Sequence, residues 1–209
     1  MNQNNQLVLY YVHDPMCSWC WAFVPTWTKI KQALKDKIEI RYVLGGLAPD
    51  SAQVMPKEMQ DTISGYWKNI QTRVPGTEFN FDFWTDCEPK RSTYPSCRAV
   101  IAARKQNPDA ELAMIRAIQE GYYLQAKNPS DADMLIELAG ALGLDPAQFA
   151  DDLNSDETNE ILHKDMAFGA SIGAQGFPSL ILQAPEGYGY IPLDYNEPSV
   201  VLNQLERFI

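Results

Sequence analysis

The chain has 209 residues, of which 45% are hydrophobic and 21% are charged, and its formal net charge at pH 7 is -10. This composition is typical of a folded globular protein, and without repeats or low-complexity tracts it excludes disordered and solenoid architectures. Acidic residues outnumber basic ones and no basic run occurs, so the sequence also argues against nucleic acid as a partner.

The beginning of the sequence lacks the pattern of an export signal. Residues 1–6 are polar and have no charged side chain, whereas a secretory signal begins with positive charge. The apolar run at residues 7–12 is too short for a signal or for a membrane-spanning helix. We therefore expect a cytoplasmic protein that does not bind a membrane.

The first elements form a strand, helix and strand. Residues 7–12 are apolar, β-branched and aromatic, which predicts a buried strand that ends at Asp14-Pro15. Apolar residues then recur at helical spacing up to Leu34, and this pattern predicts a helix that begins at or near Cys17. Residues 38–44 predict a second strand, parallel to the first.

Helical patterns and helix caps dominate residues 50–173. The predicted helices span residues 56–74, 93–106, 109–126, 131–142, 146–153 and 156–172, with a loop of no firm secondary structure between 75 and 91. Strands at 179–183 and 188–192 and a helix at 198–208 complete the chain. This order predicts an α/β, thioredoxin-like fold in which residues 1–49 and 174–209 form one domain and residues 50–173 form a large all-helical insertion.

The segment Cys17-Ser18-Trp19-Cys20 carries the strongest chemical signal. At a strand-to-helix junction the first sulfur lies beside unpaired backbone N–H groups and the positive end of the helix dipole, which favours its thiolate form. Cys17 is therefore the predicted nucleophile, and Cys20 is the predicted resolving thiol. A zinc site is the less favoured alternative, because it would have to recruit Cys87 and Cys97, whose spacing is not that of a chelating knuckle.

A second motif, Gly176-Phe177-Pro178, lies where a short turn enters the third strand. Taken together, residues 14–21 and 174–179 resemble the DsbA-type thioredoxin superfamily, and within it FrnE-like protein disulfide isomerases. Residues 122–145 are similar to the helical domain of that family, so the resemblance covers most of the chain.

The resemblance implies a cis peptide bond at Phe177-Pro178, with Pro178 packed against the two thiols and the Phe177 backbone offered to an extended substrate. The sequence departs from DsbA in carrying Ser18-Trp19 where DsbA has a proline and a histidine. Trp19 cannot supply a positive charge to a thiolate, so we expect a weaker oxidant than DsbA.

Two further residues have two interpretations each. His13 precedes the motif closely enough for an imidazolium to stabilise a thiolate, but a histidine at a strand end is more often hydrogen-bonded to its own loop. Cys97 could be an auxiliary thiol that exchanges with Cys87 or with the primary pair. Burial as a small apolar side chain is the favoured interpretation of Cys97.

The predicted function is that of a protein disulfide oxidoreductase, a reductase or isomerase, that uses no metal or organic cofactor. Its expected partners are thiols and disulfides of proteins or peptides, with glutathione as a further candidate. Two alternatives stay open: an enzyme of the glutathione transferase kappa and 2-hydroxychromene-2-carboxylate isomerase group, and a redox-sensing adaptor without turnover. The physiological substrate, the electron donor and the oligomeric state do not follow from the sequence.

Overall fold

A computed structural model describes residues 7–209 of the chain. Residues 1–6, on which the prediction about the export signal partly rests, lie outside the described residues. The described elements in chain order are β1 (Val8–His13), α1 (Ser18–Leu34), β2 (Glu39–Leu44), α2 (Lys57–Arg73), α3 (Phe83–Asp86), α4 (Tyr94–Gln106), α5 (Ala110–Tyr123), α6 (Ala132–Ala141), α7 (Pro146–Leu153), α8 (Asp156–Ser171), β3 (Ser179–Ala184), β4 (Gly187–Ile191) and α9 (Ser199–Leu205).

The four strands form one mixed sheet in the order β2-β1-β3-β4. Strand β1 runs parallel to β2 and antiparallel to β3, and β4 pairs antiparallel with β3. The register places Val12 between Val43 on one side and Ser179 on the other. Every residue of β1 is buried, which explains the continuous apolar run that predicted this strand.

Alternate residues of β1 face two different helical layers. Leu9 and Tyr11 pack in a cluster with the apolar faces of α1 and α9. On the opposite face, Val8, Tyr10 and Val12 pack with residues at the C-terminal end of α8. The alternation follows from the two-residue repeat of a strand, and it buries both faces of the sheet.

Helices α4 to α8 form another apolar cluster, which Leu44 at the end of β2 connects to the sheet. A second, aromatic cluster centred on the fully buried Trp67 joins this region to the start of α1 through Met16 and Trp21. Helix α7 begins as predicted, since the Asp145 side chain accepts hydrogen bonds from the backbone N–H groups of Ala147 and Gln148.

The element order confirms the predicted fold class. Helix α3 lies in the segment where the sequence predicted only a loop; it has four residues, which is too short to show a helical repeat. The proposed division into two domains stays a prediction. Helix α8, placed in the insertion by that division, lies against the sheet, where a Cβ atom at Gly169 would come within 3.2 Å of Val12 Cγ1.

Candidate functional site

Cys17 occupies the position that the sequence predicted, immediately before the first residue of α1. Its backbone is extended, with φ -79° and ψ 115°, and its carbonyl accepts the Trp21 N–H at 3.0 Å. The Cys17 side chain is 6% exposed and lines a surface cleft. A reagent in that cleft can therefore reach the sulfur at the amino end of the helix.

Cys20 lies one turn further along α1 and is fully buried. Its thiol is within hydrogen-bonding reach of Cys17, and all four cysteines are free thiols in this structure. Burial raises the pKa of Cys20 well above its ordinary value, and the neighbouring Cys17 raises it further. The two thiols therefore have different surroundings: Cys17 lines the cleft, and burial favours the protonated form of Cys20 behind it.

The turn before β3 meets the cysteine pair across the site. The Cys17 thiol donates a hydrogen bond to the Phe177 carbonyl oxygen over 3.4 Å, although 160 residues separate the two in sequence. The Phe177-Pro178 peptide bond is cis, and Pro178 is buried. The structure thus brings the two motifs together, as the resemblance implied.

Ser18 and Trp19, the residues between the two cysteines, are half-buried and line the same cleft. The Trp19 ring packs against Tyr195 with the centroids 4.8 Å apart, and the Arg73 guanidinium lies 5.7 Å from its centroid. The ring is therefore held by α2 and by the segment that follows β4, and it forms one edge of the cleft.

His13 does not supply a positive charge to the site. Its side chain is 1% exposed, and burial lowers its pKa to about 3. The imidazole is therefore neutral near pH 7, which corrects the interpretation that an imidazolium stabilises the thiolate. Neither ring nitrogen is hydrogen-bonded to another group in residues 7–209, so the alternative of a bond to its own loop is also wrong. The ring instead stacks on Tyr11 at 5.2 Å.

Asp14 is a functional candidate that the sequence reasoning missed. Its buried carboxylate accepts hydrogen bonds from the backbone of Met16 at 2.8 Å and of Leu47 at 2.7 Å, and from the Thr93 hydroxyl at 2.7 Å. Burial raises the pKa of this carboxyl despite those donors. The Asp14 backbone is hydrogen-bonded to Cys20, and the negative charge of its carboxylate raises the pKa of that thiol.

The other two cysteines lie in unlike surroundings. Cys97 is fully buried, and its thiol lies 3.5 Å from the Asp14 carboxylate. Burial raises its pKa well above the ordinary value, and the Asp14 charge adds to that effect. Cys87 is half-buried and donates to the Ala126 carbonyl oxygen at 2.9 Å. Both surroundings favour the interpretation of these residues as packed thiols over that of auxiliary redox thiols.

The cleft beside Cys17 has a volume of about 710 Å³. Most of its wall is apolar, formed by side chains such as Ile63, Tyr66 and Trp67 from α2. Arg91, from the loop before α4, lines it too and carried no signal in the sequence. No group of three or more His, Cys, Asp or Glu side chains within residues 7–209 is arranged to hold a metal ion. None of the helices in that range is long and apolar enough to span a bilayer.

Solved structures with the same fold include disulfide-exchange proteins. A Nitrosomonas europaea protein, provisionally assigned as a protein disulfide isomerase, matches with a TM-score of 0.83 and 25% identity, and 97% of each chain is covered. The cytosolic disulfide reductase DsbM from Pseudomonas aeruginosa matches with a TM-score of 0.76 and 22% identity, which covers 96% of this chain and 98% of DsbM. At 22% identity, the match with DsbM shows that the two chains share a fold.

Among curated relatives, the ClpXP adapter protein SpxH from Halalkalibacterium halodurans is 29% identical over 164 residues. This match covers 77% of the present chain and 53% of SpxH, so the chain spans about half the length of that relative. A family model described as Thioredoxin matches residues 10–190. The chain therefore belongs to the thioredoxin family, and its fold is that of the DsbA-like oxidoreductases.

Proposed function

We propose that the chain is a thiol–disulfide oxidoreductase in which Cys17 attacks the substrate and Cys20 resolves the intermediate. The observation that carries this proposal is the contact of the Cys17 thiol with the Phe177 carbonyl at the amino end of α1, with Cys20 buried directly behind. A substrate in the cleft meets Cys17 first, beside an extended backbone segment that can pair with it. The likeness in fold to disulfide-exchange proteins supports the proposal.

The reaction follows from the surroundings of the two sulfurs. The Cys17 thiolate attacks one sulfur of a substrate disulfide, so that a bond between Cys17 and that sulfur forms, the substrate disulfide breaks and the other half leaves as a thiolate. Cys20 then gives up its proton, and its sulfur attacks Cys17, which forms the Cys17–Cys20 disulfide and releases the second substrate thiolate. Two electrons have passed from the protein to the substrate.

Loss of the proton from Cys20 needs an acceptor, because burial favours its thiol form. In this proposal Asp14 is that acceptor, since its charge acts on Cys20 and burial raises the pKa of its own carboxyl. A thiol reductant regenerates the enzyme by the reverse exchange. Glutathione is the candidate reductant, and a structure of DsbM was determined with this thiol. A cytoplasmic setting, which favours reduction or isomerisation, completes the proposal.

A trapping experiment tests the proposed roles. The reduced protein should reduce a disulfide-bonded peptide in the presence of excess thiol, and Cys17→Ser should abolish this turnover. Cys20→Ser should instead accumulate a mixed disulfide between Cys17 and the substrate, visible by mass spectrometry, because the resolving thiol is gone. Cys87→Ser is the matched control and should retain activity. Turnover that survives Cys17→Ser would contradict the proposal.

The reduction potential tests the prediction about Ser18 and Trp19. We expect the Cys17–Cys20 couple to be more reducing than DsbA, whose potential is about -120 mV. The Arg73 guanidinium lies 5.7 Å from the centre of the Trp19 ring. Equilibration with glutathione redox buffers measures the potential, and a value equal to that of DsbA would refute the prediction.

A second candidate function is that of an adaptor, and the SpxH relatives favour it. SpxH is named as an adapter of ClpXP, and the shared region is less than two thirds of its length. An adaptor binds partners without turnover, so it should retain partner binding when both Cys17 and Cys20 are replaced by serine. An enzyme should lose turnover in that variant. Conversion of a small aromatic substrate without Cys20 would instead support the isomerase-type alternative.

A further inference from the structure

The cleft beside Cys17 contains a single formally charged side chain among the described residues that line it, Arg91. We propose that Arg91 binds a carboxylate of the substrate, so that the preferred substrate is a small peptide disulfide with a free carboxylate. This inference rests on the proposed disulfide exchange at Cys17 and adds its substrate class.

Arg91 is exposed and makes no ion pair within residues 7–209. Its neighbours in the chain are fixed. The Lys90 backbone forms an antiparallel bridge with Val54, and the Ser92 carbonyl accepts the Ser130 hydroxyl at 2.7 Å. The backbone around Arg91 is thus anchored on both sides while its guanidinium is free to bind a ligand. The planar guanidinium of an unpaired arginine can form a bidentate contact with a carboxylate.

The walls around Arg91 strengthen such a contact. Trp67 is fully buried and Tyr122 is nearly so, and both line the cleft. The charge of Arg91 reaches Tyr122, where it partly offsets the rise in phenol pKa that burial causes. The apolar wall reduces screening by water on one side of the cleft, whereas Arg91 itself is exposed, so the ion pair is partly screened.

The charge of the whole chain makes a local cation necessary for an anionic substrate. A net charge of -10 repels anions from most of the surface. Arg91 places a positive charge at the cleft, which attracts an anion there. The cleft volume of about 710 Å³ lies within the range for small ligands. A tripeptide-sized disulfide therefore suits both the charge and the size of the site.

The test compares three disulfides that differ in charge: glutathione disulfide with four carboxylates, neutral hydroxyethyl disulfide and cationic cystamine. Reduced protein is mixed with each disulfide, and formation of the Cys17–Cys20 bond is followed by tryptophan fluorescence. The two thiols of the protein supply the two electrons, so no other reductant is needed. Arg91→Gln should lower the second-order rate constant for glutathione disulfide by about 5-fold, the upper range for an ion pair with an exposed partner. The rate constants for the neutral and cationic disulfides should change less than about 2-fold.

Two further variants complete the design. Arg91→Lys keeps the charge without the planar fork and should give an intermediate rate constant for glutathione disulfide. Arg207→Gln removes an equal charge from an exposed residue outside the cleft and should leave all three rate constants unchanged. The inference is overturned if Arg91→Gln lowers all three rate constants equally or lowers none. If the unsubstituted protein oxidises no faster than its Cys17→Ser variant with any of the three disulfides, the proposed function itself fails.

Discussion

The buried histidine makes the stability of the fold depend on pH in a calculable way. Burial lowers the pKa of His13 from 6.5 to about 3, so the folded chain keeps this ring neutral where the unfolded chain protonates it. Below pH 6.5 the unfolded state binds the additional proton, and the free energy of unfolding falls as the pH falls towards 3. The stabilising effect is complete above pH 6.5 and is lost on acidification through that range.

The size of the effect follows from linkage. Each pH unit within this range changes the free energy of unfolding by about 1.4 kcal/mol. Between about pH 7.5 and 5.5 the unfolded chain becomes mostly protonated at His13, so the expected loss is about 1.4 kcal/mol. With a urea m-value of roughly 2 kcal/mol/M, the unfolding midpoint should fall by about 0.7 M. Most carboxylates stay ionised in this window, which limits their contribution.

Urea unfolding at the two pH values measures this loss, with His13→Phe as the test variant. The variant keeps a flat ring against Tyr11 but cannot take up a proton, so its midpoint should fall less than that of the unsubstituted protein. The midpoint of each protein at pH 5.5 is compared with its own midpoint at pH 7.5, so a general loss of stability caused by the larger ring cancels. His163→Gln is the matched control, because His163 is the other histidine and is exposed; it should keep the original pH dependence. Equal shifts in the unsubstituted protein and His13→Phe would refute the reasoning.

Three further predictions concern buried polar groups. Tyr123→Phe deletes a buried hydroxyl that donates to the Met16 carbonyl at 2.7 Å, so it should lower Tm by about 4–8 °C for a loss of about 2 kcal/mol. Tyr122→Phe deletes a hydroxyl for which the structure shows no hydrogen bond, so it should change Tm little. An equal fall in Tm for both variants would contradict this prediction. Arg98→Met removes a buried guanidinium that donates five hydrogen bonds. Its partner carboxylate, Asp50, is exposed, so calorimetry should show a loss of about 2 kcal/mol from the lost hydrogen bonds. A loss below about 0.5 kcal/mol would contradict this. In a variant with Cys17 and Cys20 replaced by serine, iodoacetamide should modify buried Cys97 at least about 10-fold more slowly than half-buried Cys87 at pH 8. Modification of Cys97 faster than that of Cys87 would support the interpretation of Cys97 as an auxiliary redox thiol.

The sequence was sufficient for the sheet and for the cysteine pair because both depend on local patterns. A continuous apolar run predicts β1, and helical periodicity directly after the Cys-x-x-Cys segment predicts α1 with Cys17 at its start. The helix caps predicted α7 to its first residue for the same reason. Patterns of this kind need no knowledge of distant parts of the chain.

The parts that the sequence could not reveal depend on long-range contacts. Asp14 followed by proline indicates a turn, and nothing local shows that Leu47, Thr93 and Cys97, between 33 and 83 residues away, surround its carboxylate. The state of His13 also depends on packing. Tyr11 and Tyr42 lie around its ring, and burial there disfavours protonation of the imidazole. Arg91 carries no local signal because its position in the cleft depends on α2 and α5.

The different surroundings of the two thiols determine the order of the proposed steps. Cys17 lines a cleft that contains an unpaired cation, whereas Cys20 has no exposed surface and is affected by the charge of the buried acid Asp14. A substrate disulfide can therefore approach only Cys17, and an anionic one is drawn to that side. Cys20 can react only with a sulfur already bonded at Cys17, because no other disulfide can reach it. The buried acid is useful only at that second step, when the Cys20 proton must leave a site from which water is excluded. Exchange of the two roles would require a substrate to enter the core of the fold.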